Sequence, residues 1–113
     1  MSGNSTRLAI ILLTLATAIV HGVVLNLQMG HLDPKFTLNG LGYLALLGAF
    51  VFRFPPGREV LVHYTLMAFA LVTILAWAAI GERSVLGYST KLVEVLLIFF
   101  LWIDLGRVKA PSK

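Results

Sequence analysis

Residues 60–80 read VLVHYTLMAFALVTILAWAAI and contain no Asp, Glu, Lys or Arg. At a rise of about 1.5 Å per residue, a helix of this length crosses the roughly 30 Å hydrocarbon core of a bilayer. A helix in a soluble protein rarely stays apolar on every face for so long. This stretch therefore predicts a transmembrane helix.

Three further apolar runs of similar length occupy most of the remaining chain, at residues 8–27, 36–54 and 87–105. They are about twice as long as a membrane strand and do not alternate polar with apolar residues, which excludes a transmembrane β-barrel. The composition agrees, since 58% of the 113 residues are hydrophobic and only 12% are charged, against about 25% charged in a soluble domain. We predict an all-α integral membrane four-helix bundle, a single transmembrane domain over residues 1–113.

Turn-forming residues separate the four runs, so the connections between helices are short. They are Gly30, Asp33 and Pro34 in the first connection, Pro55, Pro56 and Gly57 in the second, and Gly81 to Ser84 in the third. Ser84 and Ser89 are both candidates for the N-cap of the fourth helix. Because short connections make sequential helices antiparallel neighbours, we expect an up-down-up-down arrangement.

Lys and Arg residues are distributed unevenly between the two ends of such a bundle. Six lie at the end that carries both termini and three at the other: Arg7, Arg53, Arg58, Arg107, Lys109 and Lys113 against Lys35, Arg83 and Lys91. The positive-inside rule then predicts a multi-pass protein of the cell membrane with both termini in the cytoplasm. The net charge of +4 does not indicate nucleic-acid binding, because the basic residues end apolar runs and form no patch.

With helix midpoints near residues 17, 45, 70 and 97, the polar residues fall at two depths in the membrane. In the outer half, Lys91 and Glu94 are three residues apart and share a helix face. On the first helix, Thr14, Thr17, His21 and Gln28 recur at helical spacing and define one polar stripe.

An ionisable group that faces lipid near the bilayer centre costs several kcal/mol, so these residues should point into the bundle. We predict that Glu94 pairs with Lys91 within a larger intramembrane network. Its predicted members are His21, Thr17, Asn39, Tyr43, Lys91 and Glu94.

This outer network has a functional and a structural interpretation. It is either a proton relay, an ion site or a polar substrate site, or it is a latch of interhelical hydrogen bonds that fixes the helix register. The latch is favoured because no second acidic residue lies nearby to form a relay. The inner group, His63 and Asp104, lies near the cytoplasmic interface, where charged and aromatic anchors are usual.

The residues indicate no cofactor, metal or catalytic centre. The chain has no cysteine, and no His, Asp and Glu spacing supplies the four ligands of a structural zinc. His21 and His63 are separated by about 16 Å along the membrane normal, too far to ligate one haem b. No nucleophile–base pair or phosphate loop is present either, so we do not expect an enzyme.

The chain length and the count of four helices resemble those of the small multidrug resistance transporters. In that family the essential glutamate lies in the first helix, whereas here the first helix carries His21 and the glutamate is Glu94 in the last helix. The resemblance is therefore one of architecture, and the activity of that family does not carry over.

Two functions remain open. The first is an accessory or scaffold subunit of a larger membrane assembly, indicated by the small size and by a face of small residues, Gly42, Ala45 and Ala49. The second is a homo-oligomeric small-molecule or ion transporter or channel, with Glu94 and His21 lining the path. The expected partners are the lipid bilayer and either other membrane subunits or further copies of this chain, and the first function is slightly favoured.

Overall fold

The computed structural model describes residues 3–54, 56–80 and 84–109, and the described chain forms the four helices expected. The first helix, α1, is made of Gly3–Ile19, a π-helical turn at Val20–Val24, and Leu25–Met29. The others are α2 at Pro34–Val51, α3 at Glu59–Ile80 and α4 at Val85–Lys109. Helices α1 and α4 thus extend beyond their apolar runs at both ends, while α2 stops before Phe52.

Three of these helices are long and apolar enough, by length and composition, to cross a membrane. The spans are Asn4–Met29, Glu59–Ala79 and Val85–Lys109. Helix α2 is not among them, because its 18 residues include Lys35, Asn39 and three glycines. The all-helical fold is confirmed, and the membrane crossing of α2 stays a prediction.

The first connection is held by standard capping interactions. Gly30 ends α1 with a φ of 77°, a left-handed conformation that glycine adopts without a steric penalty. The side chain of Asp33 then caps α2 by accepting hydrogen bonds from the backbone of Lys35 at 2.8 Å and Phe36 at 3.4 Å. Pro34 occupies the first helical position, where its missing N–H is not needed.

The third connection confirms one of the two predicted caps. The Ser84 hydroxyl oxygen accepts a hydrogen bond from the backbone N–H of Gly87 at 3.0 Å, so Ser84 caps α4 and Ser89 lies within the helix. The rest of this predicted turn, residues 81–83, lies outside the described residues, as do Pro55 and Lys113.

Contacts between α1 and α2 occur at both ends of the bundle and show that the two helices are antiparallel. Arg7 near the start of α1 contacts Phe50 near the end of α2, and Asn26 near the end of α1 contacts Thr37 near the start of α2. Each helix packs against its neighbours in sequence, and α1 also packs against α4. The result is a closed ring of four helices measuring 52 × 23 × 22 Å.

The glycines of α2 have different surroundings. Gly40 lies directly against the backbone of α1, and a Cβ built there would be 2.8 Å from the Gly22 nitrogen. Gly42 lies beneath the ring of Phe69 on α3, whereas Gly48 has nothing within 4 Å. Of the predicted small-residue face, Ala49 is half-buried and Ala45 is exposed, so this face divides between the bundle interior and its surface.

The outer surface of the bundle is apolar, and its interior combines an apolar core that includes Ile10, Leu66 and Leu97 with buried polar residues. The surface carries many large apolar side chains, among them Leu12 at 56% exposure and Val72 at 64%. The buried polar and charged residues, in contrast, are Thr6, Thr14, Thr17, His21, Asn26, His63, Thr73, Thr90, Lys91, Glu94 and Asp104. Soluble domains rarely expose so much contiguous apolar surface, and they rarely bury so many charged groups.

Candidate functional site

The first buried cluster centres on Glu94, whose side chain is fully enclosed. Its Oε2 accepts a hydrogen bond from the Tyr43 hydroxyl on α2 at 2.7 Å and another from the Thr17 hydroxyl on α1 at 3.1 Å. Its Oε1 forms an ion pair with the ammonium group of Lys91, one turn earlier on α4. A single carboxylate thus joins three helices.

His21 is connected to this carboxylate through Thr17. Its Nδ1 lies 2.9 Å from the backbone carbonyl oxygen of Thr17 and 3.3 Å from the Thr17 hydroxyl oxygen. Because a carbonyl oxygen only accepts, Nδ1 carries a proton. Within the described part of the chain, Nε2 of His21 has no hydrogen-bond partner.

Asn39 is the one member of the predicted network that lies apart from Glu94. Its Nδ2 donates to the Thr73 hydroxyl oxygen on α3 at 2.8 Å, and the Thr73 hydroxyl donates to the Phe69 carbonyl at 2.9 Å. The Oδ1 of Asn39 is buried and has no hydrogen-bond partner among the described residues. The structure therefore brings five of the six predicted residues together and attaches Asn39 to α3.

The π-helical turn in α1 changes which of the residues after His21 face the bundle interior. A π-turn holds one more residue than an α-turn, so Asn26, five residues after His21, is buried, while Gln28 is exposed. Asn26 donates to the Gly22 carbonyl at 2.9 Å and the Thr37 hydroxyl at 3.0 Å, and it accepts from the Asp33 backbone at 2.8 Å. The predicted stripe is thus wrong at Gln28, and Asn26 takes its place.

The second buried cluster joins α3 to α4 through His63 and Asp104. His63 Nε2 lies 2.7 Å from Asp104 Oδ2, and its Nδ1 lies 2.7 Å from the carbonyl oxygen of Glu59. Arg107 donates to the other carboxylate oxygen of Asp104 from Nε at 3.0 Å and from Nη2 at 2.8 Å. Both His63 and Asp104 are buried, with 1% and 0% exposure.

The contacts of His63 constrain where a proton can lie between it and Asp104. One ring nitrogen faces a carbonyl and the other a carboxylate, so both contacts are hydrogen bonds only if the pair holds an additional proton. Arg107 donates to the other oxygen of Asp104 and thereby stabilises the ionised form of that carboxylate.

The two clusters occupy different levels of the bundle. Glu94 and Asp104 are ten residues apart on α4, which corresponds to about 15 Å. His21 belongs to one level and His63 to the other, and both ring nitrogens of His63 are already hydrogen-bonded. Among the described residues, no group of three or more His, Cys, Asp or Glu side chains is arranged to hold a metal ion.

The described part of the bundle has a hollow in its surface at each end. The first is small and lies between Arg7, Arg53, Glu59 and His63. The second is an open groove along the end of α1, between Gly22 and Leu32. Glu94 lines neither of them.

No family model matches the chain, and no curated protein or solved structure matches it either. Its function has to be inferred from its own residues.

Proposed function

We propose that this chain is an integral membrane protein whose four helices all cross the bilayer, with both termini in the cytoplasm. The apolar outer surface and the enclosed charges support this proposal, because charged groups in a bilayer are stable only where they face the bundle interior. The six basic residues at the end with both termini support the orientation. The 18 residues of α2 span about 27 Å, close to the hydrocarbon thickness.

The absence of cysteine from the sequence makes the orientation testable by single-cysteine labelling. His31→Cys lies in the first connection and Pro56→Cys in the second, and both positions are exposed. In intact cells, an impermeant maleimide should label His31→Cys at once and Pro56→Cys only after permeabilisation. The reverse pattern would invert the proposed orientation, and release of the protein by alkaline extraction would contradict membrane insertion.

Within the membrane, we propose that the chain acts as an accessory or scaffold subunit of a larger assembly. The observation that carries this proposal is the enclosure of Glu94, whose two oxygens contact Tyr43, Thr17 and Lys91 while the residue has no exposed surface. Such a network fixes the register of three helices. A transport site would instead need an aqueous path to the carboxylate.

Native mass spectrometry after gentle extraction from the native membrane tests this proposal. We expect a stoichiometric complex with other membrane proteins. In the Glu94→Gln variant that complex should keep its composition and lose thermal stability, whereas Glu59→Gln, which changes a partly exposed carboxylate, should alter neither. A homo-oligomer without other subunits would contradict the accessory function.

A homo-oligomeric transporter or channel is the second candidate, and the π-helical turn favours it. π-turns are frequent at functional sites, and this one carries His21, whose Nε2 has no partner in the described residues. His21 is connected through Thr17 to Glu94. Protonation of His21 would then be coupled to the protonation state of Glu94. A proton path lined by both residues requires such coupling.

Proteoliposomes test the second candidate. Proton flux driven by a potassium diffusion potential should be present in the wild type and lost in Glu94→Gln, with folding intact. Glu59→Gln provides the matched control. Normal flux in Glu94→Gln would exclude transport through this carboxylate.

A further inference from the structure

The hollow beside Arg7 lies at the end of the bundle that carries both termini. Arg7, Arg53, Glu59 and His63 contribute its polar lining. It has room for about one water molecule, and it is open on one side. Neither function proposed above uses these residues.

Arg7 has hydrogen-bonding capacity that the described protein does not use. Its Nη2 donates to the backbone carbonyl of Phe50 at 2.9 Å, and the guanidinium lies 4.1 Å from the centre of the Phe50 ring. A guanidinium carries five N–H groups. Among the described residues, no carboxylate forms an ion pair with Arg7, so its remaining donors are available to a ligand.

The charges around the hollow leave a positive excess. The one carboxylate in the lining, Glu59, is paired with Arg53 at 3.3 Å. Asp104, which lies behind His63, is shared between His63 and Arg107. Neither Glu59 nor Asp104 forms an ion pair with the guanidinium of Arg7, since each is paired with other basic side chains.

Arg53 adds a second observation from the backbone. Its φ of 54° is left-handed, a conformation that glycine adopts more easily than arginine. The turn at the end of α2 thus places an arginine side chain beside the hollow at some cost in backbone free energy.

We propose that this hollow binds the phosphate group of an anionic phospholipid. The forked N–H groups of an arginine guanidinium match the oxygens of a phosphate and bind it through charge-assisted hydrogen bonds. The proposal rests on the membrane insertion proposed above. Arg7 lies ten residues from the α1 midpoint, about 15 Å along the helix, which is half of a hydrocarbon core of about 30 Å.

The hollow admits part of a phosphate group, and its location at the membrane interface favours a lipid as the source of that group. A space for about one water molecule accepts one phosphate oxygen and does not enclose a whole inorganic phosphate. A phosphodiester can insert one oxygen there while the rest of the headgroup stays in the interface. Anionic lipids are also concentrated in the cytoplasmic leaflet, the side on which the orientation places Arg7.

The test is a lipid titration of the full chain, followed by native mass spectrometry. Phosphatidylglycerol, phosphatidylcholine and inorganic phosphate are the three probes. Arg7→Gln and Arg53→Gln are the test variants, and Arg58→Gln is the matched control, since Arg58 is exposed at the same end and does not line the hollow. Arg53 has a half-exposed side chain, so its variant keeps the test valid if Arg7→Gln fails to fold.

We expect one phosphatidylglycerol molecule to bind more tightly than phosphatidylcholine. Arg7→Gln and Arg53→Gln should each weaken it roughly tenfold or more, as loss of a charge-assisted hydrogen bond does, while Arg58→Gln binds like the wild type. Equal weakening in Arg58→Gln, or equal binding of the two lipids, would overturn the proposal. If inorganic phosphate displaces the lipid, the ligand of the hollow is a free anion and the lipid proposal is wrong. Failure to remain in membranes after alkaline extraction would instead refute membrane insertion itself.

Discussion

Tyr43 on α2 donates a 2.7 Å hydrogen bond to Glu94 on α4, although these two helices lie diagonally across the bundle. The same carboxylate oxygen also accepts from Thr17 on α1. Glu94 therefore connects α4 to α2, with which α4 has few direct contacts, as well as to its neighbour α1. The loss of one donor should destabilise the packing of all three helices.

Removing the Tyr43 hydroxyl should destabilise the bundle while leaving its fold intact. We expect Tyr43→Phe to lower the free energy of unfolding by about 1 kcal/mol, in the range measured for hydrogen bonds between membrane helices. Unfolding in mixed micelles of increasing SDS content measures this change. Tyr64→Phe is the control, since Tyr64 is 44% exposed and should show almost no effect; equal losses in both variants would contradict the role of Glu94.

The ion pair between Lys91 and Glu94 should show strong non-additivity. Loss of one partner leaves the other buried and unpaired, which typically costs about 3–5 kcal/mol. We therefore expect Lys91→Met to be severely destabilising and Lys91→Met with Glu94→Gln to be less so. The same unfolding assay measures these two variants and Glu94→Gln alone in a double-mutant cycle, and simple additivity would mean that the two side chains do not interact.

The close approach of α1 and α2 should make Gly40 intolerant of any side chain. In Gly40→Ala, the new Cβ would lie within 2.9 Å of the Ala18 carbonyl oxygen and the Gly22 Cα. Backbone atoms cannot move aside as a side chain can, and overpacking of this kind costs about 1–3 kcal/mol. Gly48→Ala is the control, because nothing lies within 4 Å of that site; it should be neutral or stabilising in the unfolding assay, and equal destabilisation would refute the packing.

The sequence identifies the members of the Glu94 cluster well because two strong rules act together. Charged residues must avoid lipid, and helical spacing places Lys91 and Glu94 on one face. Apolar run length likewise locates all four helices. These inferences need only the regular geometry of an α-helix.

Asn26 and Thr73 are buried polar residues that sequence reasoning missed, for two different reasons. The position of Asn26 depends on the π-helical turn, and a pattern based on 3.6 residues per turn assigns that face to Gln28 instead. Thr73 is one threonine in an apolar run, and only the position of Asn39 on the neighbouring helix α2 shows that it has a partner. The spacing of residues along one helix does not show which side chain of a neighbouring helix lies at the same depth.

The two buried histidines should differ in protonation, and nitrogen NMR of the protein in nanodiscs can measure this directly. His63 lies between the Glu59 carbonyl and the Asp104 carboxylate, so both of its ring nitrogens should carry a proton while Asp104 is ionised. His21 has one acceptor at Nδ1 and should be neutral, with its proton on Nδ1.

Asp104→Asn provides the internal test of this assignment. An asparagine at position 104 removes the negative charge that holds the proton, and its amide can donate to Nε2. We therefore expect His63 to become neutral in this variant, with its proton on Nδ1, while the His21 signals stay unchanged. A neutral His63 in the wild type would place the proton on Asp104 and would contradict this assignment.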